Sequence, residues 1–99
     1  MDKFKVVVEE YFGVKWDAIT DRGKEKKVCY ARNFVYYILH YKYNLSIGKM
    51  AKMFNRCDRE IKYRIAIVRA AINYQQKYRE AYKAISAILP NSLELSVCR

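Results

Sequence analysis

Glycine and proline are scarce in this 99-residue chain, with three of the first and one of the second. Little of its length can be spent on tight turns, so a mostly helical chain is expected. Histidine occurs once, as His40, and cysteine three times, as Cys29, Cys57 and Cys98, with no CxxC spacing. An odd count with one histidine argues against both a zinc site and a disulfide framework. Cys29 and Cys57 are expected to be small buried residues in a reducing compartment. No apolar run approaches the roughly 20 residues of a membrane span. The N-terminal MDKFKVVVEEYFGV carries acids inside its apolar stretch, unlike a secretory signal. A cytoplasmic location with no membrane partner follows as the expectation. There is no GxxxxGK[ST] loop and no supported Ser-His-Asp or Cys-His pairing. Neither an enzyme, a metal or cofactor site, nor a small-molecule substrate is expected.

Acidic residues are also in short supply. Lys and Arg number 20 against 10 Asp and Glu, giving a formal net charge of +10. Such an excess self-repels and calls for a polyanionic partner, of which duplex DNA is the first candidate. The apolar fraction of 53% is ample for one packed interior, and the length suits a single domain over residues 1–89 followed by a tail at 90–99.

Apolar periodicity divides the chain into helices. Phe4, Val7, Val8, Tyr11 and Phe12 mark one helical face ending near Gly13. Trp16, Ala18 and Ile19 allow about one turn. TDRGKEKK then reads as an exposed basic loop, with a helix start at Thr20 or Asp21. From about Glu25 to Lys42, the residues Val28, Ala31, Phe34, Val35, Ile38 and Leu39 keep helical spacing, with Arg32, Asn33 and His40 off that stripe. Asn44 or Ser46 can cap a short helix carrying Ile47, Met50, Ala51 and Phe54. Asn55-Arg56-Cys57 breaks it, Asp58 is read as the next N-cap, and Ile61, Ile65, Val68 and Ile72 form the stripe of a longer helix. Tyr78, Ala81, Tyr82, Ile85, Ile88 and Leu89 define a last helix, separated from its predecessor somewhere near 73–76 and ended by Pro90. The fold class expected is all-α, a bundle of five or six helices containing a helix-turn-helix.

The segment from Ile47 to Ile65 carries the functional expectation. A short amphipathic helix, a three-residue break and a longer amphipathic helix have the spacing of a helix-turn-helix. Ala51 is small where the helices approach, and Asn55 tolerates a left-handed turn. Opposite the Ile61-Ile65-Val68 stripe, the second helix offers Arg59, Lys62 and Tyr63, with Arg64 near the edge. Cations there suit phosphates or guanine edges, and Tyr63 can donate a hydrogen bond or lie against sugar or base. Glu60 is the discordant member, since a carboxylate in the first turn repels phosphate unless it accepts from cytosine; it can equally be a helix-start residue favoured by the dipole.

LSIGKMAKMFNR followed by CDREI resembles the C-terminal domain of the bacterial replication initiator DnaA, whose pattern runs Leu-Ser, a helix with Ile-Gly, then Phe-Gly-Arg and Asp-His-Thr-Thr-Val. Leu45, Ser46, Met50, Ala51, Phe54, Arg56 and Ile61 stand at matching positions. Upstream, the basic run at 22–27, the Ala31-Arg32-Asn33 helix and the opening VVEEYFGV resemble the same family in the same order, so the likeness spans roughly residues 4–89. It implies duplex DNA binding by a Trp-repressor-like helix-turn-helix, with base readout in the major groove and a basic loop entering the minor groove. The contacts so implied fall at Arg22, Lys24, Lys26, Lys27, Arg32, Ser46, Lys49, Arg56, Asp58, Arg59, Lys62 and Tyr63. Cys57, Asp58, Arg59 and Glu60 replace the Asp-His-Thr-Thr signature, so positioning on DNA is expected to carry over through Arg22, Lys24 or Lys26 while base readout differs. An accessory or regulatory role in replication or transcription is the expectation. The rival is a protein-interaction module that kept the bundle, contacting a partner through the tyrosines at 30, 36, 37, 41 and 43 and through the tail. Core packing with the hydroxyl at the surface is the simpler use of those tyrosines.

Overall fold

The computed structural model describes residues 2–21 and 23–89. Pro90, Cys98 and the rest of the tail lie outside the described residues, as does Arg22. Six α-helices and no strand occur among the described residues: α1 (Asp2–Phe12), α2 (Trp16–Thr20), α3 (Lys26–Tyr41), α4 (Ile47–Phe54), α5 (Asp58–Tyr74) and α6 (Gln76–Ile88). None is long and apolar enough to cross a membrane.

Helix ends follow local chemistry. Gly13 takes φ +68° and donates its amide to the Glu9 carbonyl at 2.9 Å, a left-handed cap that costs glycine little. Glu9 then accepts from the Trp16 amide at 2.6 Å, tying the end of α1 to the start of α2. The expected helix start at Thr20 or Asp21 is corrected. Thr20 is the last residue of α2, Asp21 is its C-cap, and α3 begins at Lys26 behind Glu25. The loop's own carbonyls have no helical partner there and are met by arginines described below. At α4, Ser46 is the N-cap and its hydroxyl accepts from the Lys49 amide at 3.1 Å. Asn55 adopts φ 54°, with the Asn55 amide donating to Lys52 and the Arg56 amide to Ala51. That is the double bond of a Schellman ending, and it leaves only residues 55–57 between α4 and α5. Cys57, not Asp58, holds the N-cap position of α5, and no side chain caps the helix. Asp58 sits instead in the first turn, where its carboxylate complements the helix dipole.

α3 is the central element, contacting α1, α2 and α5, while α6 lies against α5 and α1. Its expected stripe of Val28, Ala31, Phe34, Val35, Ile38 and Leu39 is buried throughout. From α5, Ile61, Ile65 and Val68 are buried, and Ile72 lies partly so. The tyrosines bind α6 to this centre. Tyr78 stacks on Phe34 at 5.4 Å and meets Tyr30 edge-on at 5.4 Å, while Tyr82 meets Tyr37 at 5.3 Å. Aromatic pairs at such spacing add to their burial. Ile88 departs from its expected place in the stripe and is exposed.

Two cysteine expectations are overturned. Cys57 is exposed and Cys29 half-buried, because N-cap and loop-flanking positions lie at the rim of the core.

Candidate nucleic-acid interface

α5 presents two faces. Ile61, Ile65 and Val68 turn inward. Arg59, Lys62, Tyr63, Ala66, Arg69 and Ala70 are exposed, and their spacing of three, four and seven places them along one outer stripe. From Arg59 to Ala70 that stripe runs about 16 Å. Tyr63 is 67% exposed. Arg59, Lys62 and Tyr63 have no hydrogen-bond or ion-pair partner among the described residues. The alanines keep the stripe low between its cations. Arg69, reaching the Tyr41 hydroxyl at 3.4 Å, was not singled out from the sequence, although its position seven residues after Lys62 places it on the same stripe.

Glu60 does not sit free on this surface. Its carboxylate accepts from Arg64 Nε at 3.2 Å and lies 3.9 Å from Arg56 Nε. Arg64 in turn donates to the Asn33 side-chain oxygen at 2.8 Å. The acid is neutralised between two arginines and turned away from the role of a phosphate repeller or a cytosine acceptor. Arg64 is likewise held at the edge.

The basic loop meets this end of α5. Arg32 is expected from the sequence as a DNA contact off the apolar stripe, but it is 2% exposed. Nε donates to Ile19 O at 2.7 Å, Nη1 to Gly23 O at 3.1 Å, and Nη2 to Ala18 O at 3.1 Å and to Asp21 O at 2.7 Å. The Cys29 sulfur lies 4.0 Å from Nη1. The five N–H donors of the guanidinium are thereby directed at five acceptors, which is how a buried arginine is tolerated. Burial lowers the Arg32 pKa from its ordinary value, with the charge of Arg64 acting in the same direction. An arginine so placed remains charged.

Arg56 behaves similarly. Its side chain is 6% exposed, and Nη2 donates to Thr20 O at 3.3 Å and to Asp21 O. The Asp21 carbonyl therefore accepts from both Arg32 and Arg56, one for each lone pair. Arg32 has no donor left for a ligand, whereas Arg56 engages the loop through Nη2 and its Nε is buried without a hydrogen-bond partner among the described residues. Beside them the Tyr36 hydroxyl is buried without a hydrogen-bond partner among the described residues. Burial raises its pKa, against the lowering influence of Arg56 and then Arg32.

The remaining expected contacts are dispersed. Lys24 and Lys26 are exposed in and after the loop, and Lys49 and Asp58 are exposed near the starts of α4 and α5. Ser46 uses its hydroxyl as a cap. Lys27 is exposed but reaches back to α1, where its ammonium would lie 3.1 Å from a Cβ on Gly13, a favourable place for a cation at a helix C-terminus. His40 Nδ1 hydrogen-bonds the Leu45 carbonyl at 2.8 Å and so helps set the entry to α4. Among the described residues no group of three His, Cys, Asp or Glu side chains could hold a metal ion. No protein-family model matches the chain, and no curated protein matches it.

Proposed function

We propose that the chain binds duplex DNA, with α4 and α5 acting as a helix-turn-helix and α5 docked in the major groove. The observation that carries this reading is the outer stripe of α5. Three cations and a largely exposed tyrosine lie on one face, separated by alanines, with a single exposed acid, Asp58, in the first turn, at the end of the helix pair joined through Asn55. A helix so furnished fits a groove about 12 Å wide with phosphates on both rims. Lys24 and Lys26, exposed in and after the loop whose Thr20 and Asp21 carbonyls Arg56 holds, are suited to the backbone or the minor groove. The proposed kinship with the DnaA C-terminal domain agrees with this layout. The changed residues at 57–60 then assign base reading to Arg59, Lys62 and Tyr63, because Glu60 is occupied by arginines. An accessory or regulatory protein of replication or transcription is the role we infer.

The alternative of a protein-interaction module is less well supported. Of the central-helix tyrosines, Tyr36 is buried against Phe54, and Tyr30 and Tyr37 are half-buried in ring contacts to Tyr78 and Tyr82 respectively. Only Tyr41 is exposed on that helix. Selection from a pool of random duplexes tests the proposal. A recovered preference that shrinks by about 1–3 kcal/mol on Arg59→Ala or Tyr63→Ala is the expected outcome. Recovery of no enriched sequence, with no retention of duplex at all, would favour the interaction module.

A further inference from the structure

Arg56 stands where the sequence resemblance implies a DNA contact, yet its guanidinium is buried and directed at the carbonyls ending α2. We propose that Arg56 is a positioning residue of the interface: together with Arg32 it clamps the loop through the shared Asp21 carbonyl, so that Lys24 and Lys26 are presented beside the N-terminal end of α5. This inference rests on the DNA-binding reading for its functional half, while the clamp itself rests on geometry alone.

Three observations converge. The clamp joins distant chain segments, since Arg56 lies 35 and 36 residues from its acceptors on Asp21 and Thr20. Its acceptors are the free carbonyls at the end of a helix, where the dipole favours a cation. Its charge is balanced from the other side by Glu60, which also holds Arg64. Arg32 fixes four carbonyls of residues 18–23 to the core helix α3. Arg56 then fixes that same stretch to the turn from which α5 departs. The loop base and the outer stripe of α5 are thus parts of one surface rather than two independent basic elements.

The test uses the full chain with Arg56→Met, which keeps volume and removes the donors, and Arg56→Lys, which keeps charge without the two-pronged geometry. Thermal unfolding establishes that each variant folds, and Arg56→Lys carries the experiment if Arg56→Met does not. The first readout is native-state cleavage after Glu25 by a glutamyl endopeptidase. Loss of one charge-assisted hydrogen bond is expected to speed loop opening and cleavage by about tenfold or more. An unchanged rate overturns the clamp.

The second readout is a double-mutant cycle on binding to a mixed-sequence duplex. Lys24→Ala with Lys26→Ala should weaken binding of the wild-type background and make its salt slope shallower by up to about two units. In the Arg56→Met background the same pair should change affinity by less than about twofold, while Arg59→Ala keeps its full effect in both backgrounds. If the lysine pair has the same effect in both backgrounds, Arg56 does not position the loop and contacts the duplex itself. A wild-type chain that binds no duplex at any salt overturns the DNA reading and the functional half of this proposal, and the cleavage result then judges the clamp by itself.

Discussion

Arginines at the junction of α2, α3 and α5 and cations on the outer stripe of α5 are drawn from the same positive excess, but the fold uses them in opposite ways. At the junction, Arg32 and Arg56 are withdrawn from solvent, Arg32 directing all three of its nitrogens and Arg56 its Nη2 at backbone carbonyls. On the stripe, Arg59 and Lys62 project outward with no partner among the described residues. Net charge therefore overstates what is available to a polyanion. Part of it replaces hydrogen bonds that a loop between helices would otherwise lack.

The largest expected effect breaks the junction. Arg32→Met removes the donors for four carbonyls and should cost about 3 kcal/mol or more, a large share of a small domain's stability. Arg59→Ala on the outer stripe should stay within about 0.5 kcal/mol. Thermal unfolding of the two variants measures both, and equal destabilisation would erase the distinction drawn here.

The smallest expected effect sharpens the comparison. The Tyr36 hydroxyl lies next to the junction without a hydrogen-bond partner among the described residues, so Tyr36→Phe keeps the ring against Phe54 and removes a buried polar atom. It should be neutral or stabilise by up to about 1 kcal/mol. A loss of more than about 1 kcal/mol would mean that the hydroxyl takes part in the arginine cluster.

The helical framework was legible in the sequence because it is written in period 3.6. The stripes of α3 and α5 are buried where the spacing put them, and the turn chemistry of Gly13, Ser46 and Asn55 marked three helix ends. Arg32 was misread for a physical reason: off the apolar stripe, an arginine is expected in solvent, and what buries it is a set of carbonyls from residues 18–23 that no local pattern announces. Arg56 was misread likewise, since its carbonyl acceptors lie 35 and 36 residues away. The partners of Glu60, by contrast, stand four residues to either side of it, within reach of helical spacing, and Glu60 does lie in the first turn of α5. The break between α5 and α6 at Gln75, in extended backbone, has neither glycine nor proline to signal it. Arg69 was accessible to periodicity and would have been found by carrying the outer stripe one heptad beyond Lys62.

The central claim is that the outward cations, not the inward ones, engage a nucleic acid. The salt dependence of affinity for a mixed-sequence duplex, taken for the wild-type chain and for Arg59→Ala with Lys62→Ala, tests it most directly. With about five phosphate contacts the wild-type log-log slope should be roughly −4.5, becoming shallower by up to about two units in the double variant at an unchanged melting temperature. A wild-type affinity that does not vary between low and physiological salt, or a slope that the double variant leaves untouched, would contradict the account.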